Sequence, residues 1–454
     1  MSMSRQFITV NYQEALETTV RLGDCLPQDH LARFIADVVE DLDLAAFYAH
    51  YAKRGAAPYA PEVLLALLVY AYANGVFSSR KIEQACKDNV PYRFLAGNLT
   101  PDHDTIANFR KTFLPQLQNI FVQILLLAQE MGLLKVGNIS LDGSKIHADA
   151  SKSKAVSYKR LKEIEAKLAE EVRQLFLLAE QADKSALPEG MDLPKEITRR
   201  KDRLARMAEA RTVLEARAAE RTILEQAEYE AKMRSRDDQE KHTGKKLPGK
   251  PPAPPTPGPR DKDQYNFTDP QSRIMKNSRD DGFDQHYNVQ AAVDQEALFI
   301  VGASLSNHAN DQQEAAPTLD SIPEELGSPK AAALDCGFFG SATLSTLEAR
   351  AIEAYIATGR ADHSGGWEAY FAEAGPAPPE GATPREKMAY KLRTTLGKAI
   401  YRRRKCTIEP VFGQIKEVLG FRQFSLRGLA SAAGEWFLVC LAYNLRRLHV
   451  LSNA

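Results

Sequence analysis

The chain has 454 residues, 59 Lys plus Arg against 59 Asp plus Glu, zero formal net charge and 44% hydrophobic residues. This is an ordinary globular composition, long enough for two or three domains with sizeable cores, and it argues against a disordered or fibrous chain. There is no signal-peptide order of basic, apolar and small residues at the N-terminus and no run of about 18 apolar residues, so a cytoplasmic protein without membrane contact is expected. The five cysteines, Cys25, Cys86, Cys336, Cys406 and Cys440, are scattered without a CxxC pair, which points away from a zinc ribbon or a disulfide framework.

Residues 1–135 read as successive helices. Asp29 to Val39 and Pro61 to Tyr72 carry apolar residues at helical spacing, Ser78 precedes the helix of Arg80, Lys81 and Ile82, and Asp102 or Asp104 can cap the helix of Ile106, Phe109 and Arg110. Next, Ile139 and Leu141 alternate with polar neighbours as in a half-buried strand, with Asp142-Gly143 near its end. From Lys159 to about Met233, three-and-four apolar spacing interrupted at Pro188 and Pro194 predicts two long charged helices. Residues 234–262, rich in proline, predict a disordered, extended tether. Because strand character resumes afterwards, 156–261 reads as an insertion.

Segments beginning at Asp269, His286 and Leu298 predict antiparallel strands, and Asn310-Asp311-Gln312 opens a helix. Lys330 to Leu334 is a short apolar strand ending at Asp335, where a carboxylate has to be paired, hydrogen-bonded or metal-bound. Residues 360–400 form a second, smaller insertion that carries Trp367. From Arg385 to Arg427, twelve Lys or Arg stand against three acids, an excess of nine positive charges in a neutral chain, which suggests a surface for a polyanion. Within it, Tyr401, Arg402, Arg403, Arg404 and Lys405 precede Glu409-Pro410, expected at a helix start, and Lys416 follows two turns later. Trp436 to Leu448 is an apolar closing helix.

The Tyr401, Arg404, Glu409, Lys416 pattern resembles the signature around the third acid of bacterial insertion-sequence DDE transposases of the IS4/IS5 superfamily, with the arginine-to-glutamate spacing one residue longer. The string Asp142-Gly-Ser-Lys-Ile resembles the motif of that family's first acid, and Asp335-Cys-Gly-Phe-Phe that of its second. Pro101-Asp-His-Asp-Thr-Ile-Ala-Asn-Phe-Arg110 and the Ser78 helix resemble the InsH-type N-terminal domain. The resemblance implies a mixed α/β, RNase H-like catalytic domain at 136–155 plus 262–454, with a helical DNA-binding domain at 1–135. It also implies Asp142, Asp335 and Glu409 as catalytic ligands of two Mg2+ or Mn2+ ions. Arg80, Lys81, Arg110, Tyr401, Arg402, Arg403, Arg404, Lys405 and Lys416 would lie on double-stranded DNA, at terminal inverted repeats and target, with a homodimer or larger assembly in the complex. Carboxylates suit that chemistry because hard cations with open water positions prefer oxygen donors. Two rival readings are a transposase-derived DNA-binding protein without activity and a nuclease that cuts without joining.

Overall fold

The computed structural model describes residues 21–51, 58–182, 192–244, 246, 249–277, 282–359, 375–379 and 381–453. The strands are β1 (Asn138–His147), β2 (Ala155–Ser157), β3 (Gln264–Asn266), β4 (Arg273–Lys276), β5 (Phe283–Asp294), β6 (Ile300–Ser306), β7 (Ala331–Leu334) and β8 (Glu353–Ile356). β1 is central, antiparallel to β5 on one edge and parallel to β7 on the other. β8 continues in parallel beyond β7, while β4 and β6 share the far edge of β5. β7 is buried at all four positions and β5 from Gln285 onward, as expected of strands covered on both faces. The result is a mixed α/β domain, consistent with the RNase H-like sheet that the resemblance implies.

The closing helix, Leu429–Ser452, belongs to two neighbourhoods at once. It packs on β6 and also on the N-terminal helices Pro61–Ala73 and Leu114–Glu130, within one continuous apolar core. Pro61–Ala73 is apolar nearly all round and accordingly buried on nearly all sides. Just beyond it, Gly75 has φ +73°, and a Cβ there would lie 2.5 Å from the Leu419 carbonyl oxygen, so only glycine permits this close crossing. The helices Pro61–Ala73 and Leu114–Glu130 are thus joined to the sheet through shared apolar packing.

The insertion is a helical hairpin, Tyr158–Ala182 and Leu193–Thr243, rooted on the β2–β3 ribbon. It has its own apolar cluster, built on Leu161, Leu168, Met207, Ala210, Leu214 and Tyr265. Cross-helix pairs Arg200–Glu171 (2.9 Å) and Arg211–Glu165 (3.0 Å) flank that seam. Pro194 sits in the first turn of the second helix, where its missing N–H costs nothing, and Asp192 caps that turn. Two expectations are corrected. The second helix runs to Thr243, ten residues past Met233, carried by i,i+4 pairs such as Lys232–Glu228. The described part of the proline-rich segment lies back along that helix, because arginines on the helix take its carbonyls: Arg236 donates to Gly249 O (3.0 Å) and Arg221 to Gly258 O (3.2 Å). Arg260 returns a pair to Glu225 at 2.7 Å.

Of the smaller insertion, 384–400 is ordered fold. Thr383 and Glu386 form a capping box on the helix Pro384–Arg393, and Met388 is buried beside β8. Trp367 lies outside the described residues.

Candidate active site

Asp142 does not end its strand. β1 continues through Gly143 to His147, paired with β5 residue by residue, so the Asp-Gly pair is not a turn. Glycine is needed for space: a Cβ at 143 would fall 2.3 Å from Gln290 Nε2 and 2.7 Å from Asp311 Oδ1. The Asp142 carboxylate accepts from the Gly143 N–H at 2.8 Å. On the neighbouring strand β7, Leu334 pairs with Leu141, so Asp335 follows in step with Asp142 one residue beyond the last pairing. Asp335 accepts from the Cys336 N–H at 2.7 Å and is half-exposed.

The basic helix Thr395–Gly413 lies across these strands. Its true start is Thr394, whose hydroxyl accepts from the Gly397 N–H, and Pro410 lies inside it, contrary to the expected start at Glu409. Burial of Ile400, Ile408 and Val411 together with the Thr407–Ser140 hydroxyl contact (2.6 Å) holds the helix on the sheet past a residue that breaks its ladder. Arg404, buried on the same face, donates to Asp142 Oδ2 at 2.7 Å and stands 4.0 Å from Asp335 Oδ1, so one guanidinium joins both aspartates. It also lies 5.9 Å from the centre of the Tyr401 ring. Burial pushes the Asp142 carboxyl up to about 6, against the opposing pull of Arg404, and the nearby Asp335 and Asp311 push the same way.

Glu409 comes five residues after Arg404, about 140° round the helix at 3.6 residues per turn, and is exposed. Among the described residues, no three His, Cys, Asp or Glu side chains are grouped so as to hold a metal. The structure therefore brings Asp142 and Asp335 together but does not draw Glu409 into a group with them. After Gly413 the helix widens into a π turn, Gln414–Val418, of the kind often found at functional sites. From it Lys416 reaches β1, donating to the Ser144 hydroxyl and to the Lys145 carbonyl (3.1 Å), and burial lowers its pKa.

Of the expected DNA contacts, Arg402, Arg403 and Lys405 are exposed on the outer face of the basic helix, and Arg80 and Lys81 are exposed on the helix Ser79–Asp88. Arg110 is a correction. It is buried and donates to the Tyr72 hydroxyl (2.8 Å) and the Phe77 carbonyl (2.9 Å), which leaves it no surface to offer a phosphate. Its helix turns it inward with Ile106 and Phe109. Sequence reasoning also missed Asp311 as a member of the site. Its neighbours Asn288 and Gln290, polar residues on a strand buried along its length, were the available signal.

Two aspartates at the mouth of adjacent parallel strands, crowded enough for one to raise the other's pKa and bridged by an arginine, present oxygen donors of the type that hard divalent cations prefer. The sheet and this carboxylate pair belong to one mixed α/β domain. Comparison with known families makes the class specific. Residues 20–112 match the transposase domain family DUF772, and residues 378–449 match a transposase DDE domain. The two matches fall on the N-terminal helices and on the segment that carries Arg404, Glu409 and Lys416, and they support an insertion-sequence DDE transposase. No curated protein and no solved structure matches it. Among the described residues no helix is long and apolar enough to cross a membrane.

Proposed function

We propose that the protein cuts DNA at the ends of its own element and joins the freed 3′-hydroxyl to target DNA, with Asp142 and Asp335 holding divalent cations and Glu409 as a further donor. The observation that carries this reading is the meeting of Asp142 and Asp335, 193 residues apart in sequence, under one arginine. When bound, the cations activate the attacking oxygen and stabilise the leaving one. Arg404 neutralises the two carboxylates in their absence and is then released toward a phosphate; Lys416, pinned against β1, fixes the floor of the site. Arg402, Arg403 and Lys405 face the DNA backbone, with Arg80 and Lys81 on the N-terminal side, and two copies act together, one on each element end. The test is cleavage and joining of duplexes carrying the element's terminal repeats in Mg2+. Wild type is expected to do both and Asp335→Asn neither. Cutting without joining would select the nuclease reading, and binding without either would select the inactive binder.

Phosphate binding by the basic helix has a separate readout. The Arg402→Ala, Arg403→Ala, Lys405→Ala triple variant is expected to flatten the plot of log affinity against log salt by about 0.9 for each phosphate that is no longer neutralised. An unchanged slope would make these side chains plain solvated surface.

The pH dependence of cation binding follows from Asp142. Its folded pKa of about 6 lies above the ordinary 3.8, so the metal-free folded protein holds a proton that the unfolded chain has released between those values, and this group's contribution to stability is lost as pH rises through 6. A cation competes with that proton. Mn2+ affinity, titrated calorimetrically, is expected to fall by up to about tenfold per pH unit below 6 and to be flat above it. Affinity unchanged between pH 5 and 7 would exclude Asp142 as a ligand.

A further inference from the structure

Asp311 lies outside the Asp-Asp-Glu pattern, yet the fold delivers it to the same place. It follows β6 on the loop leading to the helix Ala315–Asp320, and its Oδ1 accepts two hydrogen bonds, from Asn288 Nδ2 and Gln290 Nε2, both at 2.8 Å. Those amides project from β5, the strand paired with β1, and they hold the carboxylate over Gly143, whose missing side chain makes the room. The other oxygen, Oδ2, takes no hydrogen bond from the described residues and lies 3.6 Å from where a Cβ on Gly337 would be, in the turn that Asp335 begins. Asp311 is thus wedged between the glycine after the first aspartate and the turn after the second. It is close enough to Asp142 to raise that group's pKa.

A second feature of the pocket is independent of the acids. Gln290 is fully buried, and while its Nε2 serves Asp311, its Oε1 has no hydrogen-bond partner among the described residues. A buried carbonyl oxygen left bare beside carboxylates calls for a donor, either a cation or a water held by one. Two side-chain amides spent on one carboxylate oxygen fix the direction of the other, as outer-shell partners do around ligating carboxylates.

We propose that Asp311 is a carboxylate donor of the divalent-cation site, offering Oδ2 alongside Asp142 and Asp335 when the cation draws together three acids that are not already grouped without it, with Asn288 and Gln290 as the residues that position it. The inference rests on the proposed cation site, and the test separates the two. Mn2+ binding to the full-length protein is measured by electron paramagnetic resonance and calorimetry, without DNA and without reference to activity. Asp311→Asn retains an oxygen that can accept from both amides. It is expected to keep the wild-type melting temperature and to weaken Mn2+ binding about tenfold or more. Asp142→Asn is the control. If it weakens binding and a folded Asp311→Asn does not, Asp311 is only a structural acceptor and this inference fails alone. If neither weakens binding, the cation site itself is wrong. Should Asp311→Asn not fold, Gly337→Ala serves instead. Its methyl would meet Oδ2 at ordinary contact distance while leaving both amide bonds in place, so it is expected to lower Mn2+ affinity; unchanged affinity in that folded variant overturns the proposal.

Discussion

Asp142→Asn is expected to abolish Mg2+-dependent cleavage of element-end DNA, by on the order of 10^3-fold or more, while leaving the affinity for that DNA within a fewfold of wild type. The substitution keeps the shape of the side chain and an oxygen able to accept from the Gly143 N–H, so β1 stays paired between β5 and β7. What it removes is the negative charge, and with it the ion pair to Arg404. Exposed Arg402, Arg403 and Lys405 are untouched, which is why binding should survive. A single-turnover assay on a radiolabelled duplex, with gel-shift affinity measured in parallel, gives both quantities. Cleavage within tenfold of wild type would rule out the carboxylate pair as the reacting centre.

The second large effect is on stability, at the junction of the two matched regions. Glu435 of the closing helix is fully buried. It accepts from the Tyr72 hydroxyl at 2.8 Å and from the N–H groups of Ser425 and Leu426 at 2.9 and 3.0 Å, and it faces Arg110 at 3.9 Å. Removing one charge strands the other in a dry core. Arg110→Met and Glu435→Gln are each expected to cost about 3–5 kcal/mol in urea unfolding, and the double variant clearly less than the sum. A loss below about 1 kcal/mol for either single variant would show that the pair is not coupled. DNA affinity per folded molecule should not change in Arg110→Met, in contrast to the phosphate role its sequence position suggested.

Periodicity and strand patterning made most elements legible. The helices at 31–40, 61–73 and 103–112 and strands β5, β6 and β7 all fall near the expected places, because each is specified by its own apolar spacing and caps. The Asp102 cap and the acid ending β7 were readable for the same local reason. What stayed illegible depended on distant partners. Nothing near Pro410 reveals that a helix already runs through it, since the packing that tolerates it comes from Ser140 and the sheet. Arg110 sits among residues typical of an exposed helix face, and the partners that hold it inward include Tyr72 and Glu435, 38 residues before and 325 after. Asp311 looked like a helix-opening residue because the two amides that make it a site residue lie on another strand.

The strand at the centre of the sheet is also the first of the sheet to be synthesised. β1 ends at His147, but its antiparallel partner β5 begins only at Phe283, after the whole helical hairpin, and its parallel partner β7 later still. At elongation rates of about 5–20 residues per second, β1 is therefore made on the order of ten seconds before any partner strand exists. The hairpin, built from local contacts and holding its own apolar cluster, can form during that wait. Once formed, it brings the two ends of the insertion together at the β2–β3 ribbon, shortening the effective loop that β5 must close to find β1. Arg404 follows all of these strands, so the two aspartates remain unbridged until after β8 has been made.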